Sequence, residues 1–247
     1  MSWRSAIAAL LLTATAMATS PAVAGDYASF RPIGFSSDGT VFAFEEYGIE
    51  DGSGFPYSTI YALDTRADTF LPGSPVRARI ESDGGSLPMA RREARRRAAP
   101  VIDAYRLADT PGLLAAYNPV TEADASEHTL GYYAAPADPD FRKTYSLRLE
   151  EKSFAAEGIC KAFLKEIRGF HLVMTEKAGE PASDVLQEDA RIPESRRCPT
   201  GYRIGGVVTH INDDGSQVHV VMVLVESLGF EGTTDGRWIA VPTWLRR

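Results

Sequence analysis

The sequence predicts a mainly β fold of antiparallel sheets, in sandwich or partial-propeller form, with one helical insertion, α+β overall. Three observations carry this. Two segments, one near each end of the chain, share an order of turn, strand, glycine-containing loop and strand. The run Val218–Val225 is apolar on both of its faces, as suits a central strand covered on both sides. A single block, from 87 to about 118, is rich in helix formers.

In chain order, residues 1–24 read as a signal peptide. Arg4 supplies a basic head, Ala6–Met17 an apolar run, and Ala22 and Ala24 the small residues that a signal peptidase reads. The run is too short to span a bilayer comfortably, and no later apolar stretch reaches about 18 residues. Residues 25–247 are therefore expected to be a single exported β-rich domain, periplasmic or secreted, with no integral membrane segment after cleavage. In the first hairpin, Ser37, Asp38 and Gly39 form a turn before the β-branched and aromatic run Thr40–Phe44. Asp51–Gly54 then form a long loop, and Tyr57–Asp64 the returning strand. In the helical block, Pro88 stands near the start, where it is tolerated, and Ala90, Ala94 and Ala98 recur every four residues. Pro100 is expected to kink or restart this helix, with Val101, Ile102, Tyr105 and Leu107 as anchors beyond it. A second short helix is expected over Pro111–Tyr117. Residues 120–142 read as a connector with at most short strands, and 144–150, 170–175 and 184–188 as strands. The closing hairpin opens at Asn212–Gly215 and returns through Arg237–Val241.

Of 26 basic and 33 acidic residues the leader holds one Arg, leaving 25 against 33 and a net charge of −8 in the exported chain. Such a balance argues against general nucleic-acid binding and against an anionic membrane surface. The two cysteines, Cys160 and Cys198, are expected to pair in an oxidising compartment. Neither has a His or third Cys at zinc-like spacing, so no metal is expected, and no motif implies a cofactor.

Chemistry-bearing residues concentrate in the two hairpins. Glu45, Glu46, Glu50 and Asp51 fall in the first, and Glu226, Glu231 and Asp235 in the second, with Tyr47, Phe55, Tyr57, Phe230 and Trp238 nearby. Paired at one edge, they would form an acidic, aromatic mouth for a cation, a basic peptide or a sugar. Of these, Glu45, Glu46, Tyr47, Asp51, Tyr57, Glu226, Phe230, Glu231 and Trp238 are the candidate ligand-binding residues. The plain alternative is that the acids solvate strand ends. Arg91, Arg92, Arg95, Arg96 and Arg97 give the helix a dense positive segment. It could dock an anionic partner, close on the acidic loops or simply face solvent. No nucleophile elbow and no phosphate-binding glycine loop occurs.

Ser36–Phe44 and Ile60–Asp64, echoed by Asp235–Val241, resemble blades of TolB-like propellers. Taken whole, the order of Phe42–Gly48, Asp51–Tyr57, Cys198–Tyr202 and Gly229–Gly232 resembles a bacterial family of predicted secreted proteins of unknown function. That resemblance implies export and a shared fold, and brings no activity with it. The function expected is therefore a non-catalytic binding or interaction module with an unknown envelope ligand or protein partner. The alternative is a hydrolase of a cell-envelope sugar or peptide, with Glu46 and Glu226 as its carboxylate pair.

Overall fold

The computed structural model describes residues 25–137 and 142–245, so the leader expected over 1–24 and part of the connector lie outside the described residues. Among the described residues the chain is mainly β, with one α-helix and three antiparallel sheets, none closed into a barrel. The first sheet has the order β1 (Ser29–Phe35), β2 (Val41–Ile49), β3 (Pro56–Asp64), with β4 (Thr69–Phe70) and β5 (Val76–Arg79) both pairing with β3. Helix α1 spans Leu87–Ala104. The middle sheet is built from β6 (Leu113–Tyr117) and the three long strands β11 (Pro199–Ile211), β12 (Gln217–Leu228) and β13 (Thr234–Leu245), in the order β13-β12-β11-β6. The third sheet runs β10 (Glu180–Glu188), β9 (Glu166–Lys177), β8 (Thr144–Ala155), β7 (Thr129–Tyr133).

Strand β12 explains the stacking. Its side chains alternate between faces, and both faces are apolar because both are covered. Val218, Val220, Met222 and Leu224 pack against Phe35, Phe42, Phe44 and Leu63 of the first sheet. Val221, Val223 and Val225 pack against Leu147, Leu149, Phe170, Leu172 and Met174 of the third. At about 25 cal/mol per Å² of apolar area, the two interfaces supply the main stabilisation. Between the middle and third sheets lies His219, fully buried, with its Nδ1 2.8 Å from the Tyr132 hydroxyl and its Nε2 2.9 Å from Gln217 Oε1. Burial pulls its pKa down to about 3, so it sits in the core as a neutral hydrogen-bonding residue.

Helix α1 covers the outer face of the first sheet. Ala90, Ala94 and Ala98 are buried, and the latter two pack on Ile60 and Ala78. Small side chains at this spacing let the helix approach closely and leave its arginines around the contact. The helix does not restart at Pro100. It continues to Ala104, because the proline removes only one late ladder bond while Val101 and Ile102 hold the last turn against the sheet. Leu107 is buried as expected, but Tyr105 is exposed.

The expected helix over 111–117 is instead strand β6, paired with Gly206–Thr209 of β11. Gly112, with φ of +70° and no room for a Cβ beside Phe35, breaks the helical path, and pairing with β11 overrides the helix propensity of Leu and Ala. The helical block is thus α1 and a 3-10 turn at Leu107–Asp109, followed by a strand. The likeness to propeller blades is not confirmed: a propeller needs at least four blades around a channel, and here three open sheets stack with a helix on the outer face of the first. Cys160 and Cys198 form a disulfide with Cα atoms 5.4 Å apart, tying the 3-10 turn before β9 to the start of β11.

Candidate functional site

The loop between β2 and β3 and the loop between β12 and β13 lie at the same end of the molecule. The first is closed by Gly54 N donating to Glu50 O at 3.0 Å and Glu50 N to Phe55 O at 3.0 Å, with the Ser53 hydroxyl on Glu50 Oε2 at 2.8 Å. The second is a 3-10 turn, Phe230–Gly232, closed by Thr233 Oγ1 donating to Phe230 O at 2.7 Å. The tips touch: a Cβ on Gly52 would come within 3.0 Å of the Phe230 ring, and Thr233 Oγ1 lies 3.5 Å from Asp51 Oδ2. Phe230 and Ile49 remain 58% and 55% exposed on this end, and Glu231 is exposed beside them.

Beneath the tips the other candidate residues separate. Glu46 points from β2 toward the middle sheet and is buried, with Oε2 accepting the Trp238 backbone N–H at 2.7 Å and Oε1 the Tyr61 hydroxyl at 3.5 Å. Trp238 is buried too; its indole N–H donates to Ala28 O at 2.6 Å, and its ring lies where a side chain on Gly205 would be. Tyr57, also buried, donates to Asp26 Oδ1 at 3.0 Å, and Asp26 is paired with Arg237. Desolvation raises the pKa of Glu46, the Trp238 N–H and the Arg237 charge oppose it, and the Asp26 charge adds to it. Burial raises Asp26 as well, against the Arg237 and Tyr57 contacts. Glu226 lies on β12 between Gly201 and Gly236 and accepts the Tyr27 hydroxyl at 3.2 Å. Desolvation first, and then the Glu226 charge, push the Tyr27 hydroxyl up to about 12.

Glu45 points the other way, toward α1, with no exposed side-chain surface. Arg91 grips it with two bonds of 2.8 Å, Arg95 adds one of 3.0 Å and the Ser58 hydroxyl another of 3.0 Å. The Arg91 guanidinium also lies 3.8 Å over the Tyr47 ring. Burial alone would raise the Glu45 pKa, but the Arg and Ser donors outweigh it and the net shift is downward.

Geometrically, then, Asp51, Phe230 and Glu231 share the tips, Glu46, Tyr57 and Trp238 share an internal network, Glu45 and Tyr47 lie under α1, and Glu226 pairs with Tyr27. Sequence reasoning missed Asp26, Tyr27 and Arg237. Arg237 carried a usable signal, since a cation beside Trp238 in a strand-like run needs a buried anion. Asp26 and Tyr27 carried none, because they lie in a lead-in with no alternation or turn pattern. Among the described residues no group of three or more His, Cys, Asp or Glu is placed to hold a metal ion, and no helix is long and apolar enough to cross a membrane.

No curated protein and no solved structure matches the chain significantly. A family model described as predicted secreted protein (DUF2259) matches residues 43–243, from β2 of the first hairpin to β13 of the last. The chain belongs to this family of predicted secreted proteins.

Proposed function

We propose that the protein is a non-catalytic binding module of the periplasm, and that it meets its envelope ligand or partner through the joined tips of the β2–β3 and β12–β13 hairpins. The observation that carries this reading is the exposure of Phe230 on one loop and Ile49 at the strand end beside the other, where the two loops brace each other. An exposed aromatic on a fixed loop offers contact area at small entropic cost. The periplasmic address is supported by the leader-like residues 1–24 and by the disulfide, which suits an oxidising compartment. Hydrolysis by Glu46 and Glu226 has less support, because both Glu46 oxygens are engaged by internal donors in a buried setting.

A photo-crosslinking residue placed at Phe230 in the exporting bacterium tests the proposal, with the same residue at Val185, exposed on β10, as control. A discrete adduct at position 230 and none at 185 is expected. Identical patterns at both sites, or none at either, would count against the hairpin tips as a contact surface.

A further inference from the structure

The arginines of α1 are not all consumed by the protein. Arg96 and Arg97 pair with Glu93, and Arg91 and Arg95 with Glu45. Among the described residues, Arg92 and Arg31 enter no ion pair and donate no side-chain hydrogen bond. Arg31 stands on β1 directly opposite Glu45, and partners so paired in an antiparallel sheet project to the same face. Its side chain therefore belongs to the face that α1 covers. A cleft of about 310 Å³ opens there, lined by Arg31, Leu87, Pro88, Arg91, Arg92 and Arg95.

Four guanidinium groups thus line the cleft, and Glu45, the buried carboxylate gripped by two of them, is already saturated by Arg91, Arg95 and Ser58. The local excess is about three positive charges in a chain whose exported form carries −8. Like charges held together repel unless something neutralises them. Glu45 fixes Arg91 and Arg95 in place, and Arg31 from the sheet and Arg92 from the helix supply uncommitted donors on opposite walls. The first turn of α1 adds little of its own, because Met89 N and Ala90 N already donate to Ser86 O and Pro88 has no N–H. Recognition falls to the side chains.

We propose that this cleft is an anion site for a phosphomonoester group, held chiefly by Arg31 and Arg92 with the outer edge of Arg95. Planar guanidinium forks match the oxygens of a tetrahedral dianion, and two or three of them can bind it at once. Leu87 and Pro88 give one side of the cleft an apolar wall, suited to the carbon portion of an ester. The site goes beyond the hairpin-tip surface and stands independently of it. The same headgroup chemistry occurs in a small soluble ester and in a phosphorylated lipid.

The test uses the exported chain and two probes, glycerol phosphate in titration calorimetry and vesicles of phosphatidylcholine with or without phosphatidic acid in sedimentation. The double variant Arg31→Gln/Arg92→Gln removes no internal bond and should keep the wild-type circular dichroism and melting temperature. A second double variant, Arg96→Gln/Arg106→Gln, removes the same charge from outside the cleft. Saturable binding of either probe, weakened about tenfold or more by the first variant, much less by the second, and weakened by added salt, is the expected result. The probe that binds identifies the soluble or the lipid source. No saturable binding of either probe, or binding equally affected by both variants, would overturn the assignment.

Discussion

Glu45 and Glu46 are neighbours on one strand, and the two faces of β2 treat them in opposite ways. On the outer face, two arginines and a serine hold Glu45 ionised although it is fully buried. On the inner face, Glu46 has one backbone N–H and a long contact to Tyr61, and it shares Arg237 with Asp26. Burial therefore wins at Glu46 and loses at Glu45. What decides the charge is the number of donors aimed at the carboxylate, since desolvation opposes ionisation in both places.

The contrast breaks most severely at Arg237. Replacing it with Met leaves Asp26 buried beside Glu46 without a cation, and should cost about 3–5 kcal/mol in urea unfolding at neutral pH. A loss under about 1 kcal/mol would mean that the inner carboxylates do not depend on Arg237. Next is Ala94→Leu, which forces α1 away from Ile60 and Ala78 and should cost about 1–3 kcal/mol. If the helix can yield without loss, Ala94→Leu will unfold at the wild-type urea midpoint.

Glu45→Gln keeps the shape and removes the charge. Because Arg95 is half exposed and Arg91 partly so, the expected loss is about 1–2 kcal/mol. The sign with pH follows from the lowered pKa. The Glu45 contribution is fully present above the ordinary value of 4.5 and is lost as pH falls through the lower folded value, so wild type and Glu45→Gln should converge in acid. A gap that stays constant from neutral pH down to about 3 would contradict an ionised Glu45.

Glu46→Gln is the smallest and most informative change, expected within about 1 kcal/mol of wild type. Here the folded pKa is raised, so stability is fully present below 4.5 and declines as pH rises through the folded value. The glutamine variant lacks that decline. Wild type should fall behind it on the alkaline side, the reverse of the Glu45 pattern, and unfolding curves over a pH series read both. Matching profiles for the two variants would show that the faces of β2 do not differ.

Much of the fold was legible in particular residues. The two-faced apolar run of β12 announced a strand covered on both sides, Phe42 and Phe44 announced a shared inner face, and two cysteines behind a leader-like start announced their pairing. The alanine spacing of α1 marked the helix and its contact face. Strand β6 was not legible, because Leu113–Tyr117 has helical composition and only the edge of β11 makes it a strand. The candidate site was read less well, since grouping Glu45 with Glu46 set aside the two-residue period that sends neighbours on a strand to opposite faces.

By itself the sequence determined the long strands of the two terminal hairpins, helix α1 and the glycine loops between consecutive strands, because these follow from local alternation, turn chemistry and propensity. Only the tertiary structure decided that the last hairpin lies in the middle sheet while the first lies outside it. It also decided which acid is gripped by arginine and which is left nearly alone. Those outcomes depend on partners such as Arg91 for Glu45 and Trp238 for Glu46, which lie 46 and 192 residues away. No local pattern records which distant donor will reach a carboxylate once the sheets have stacked.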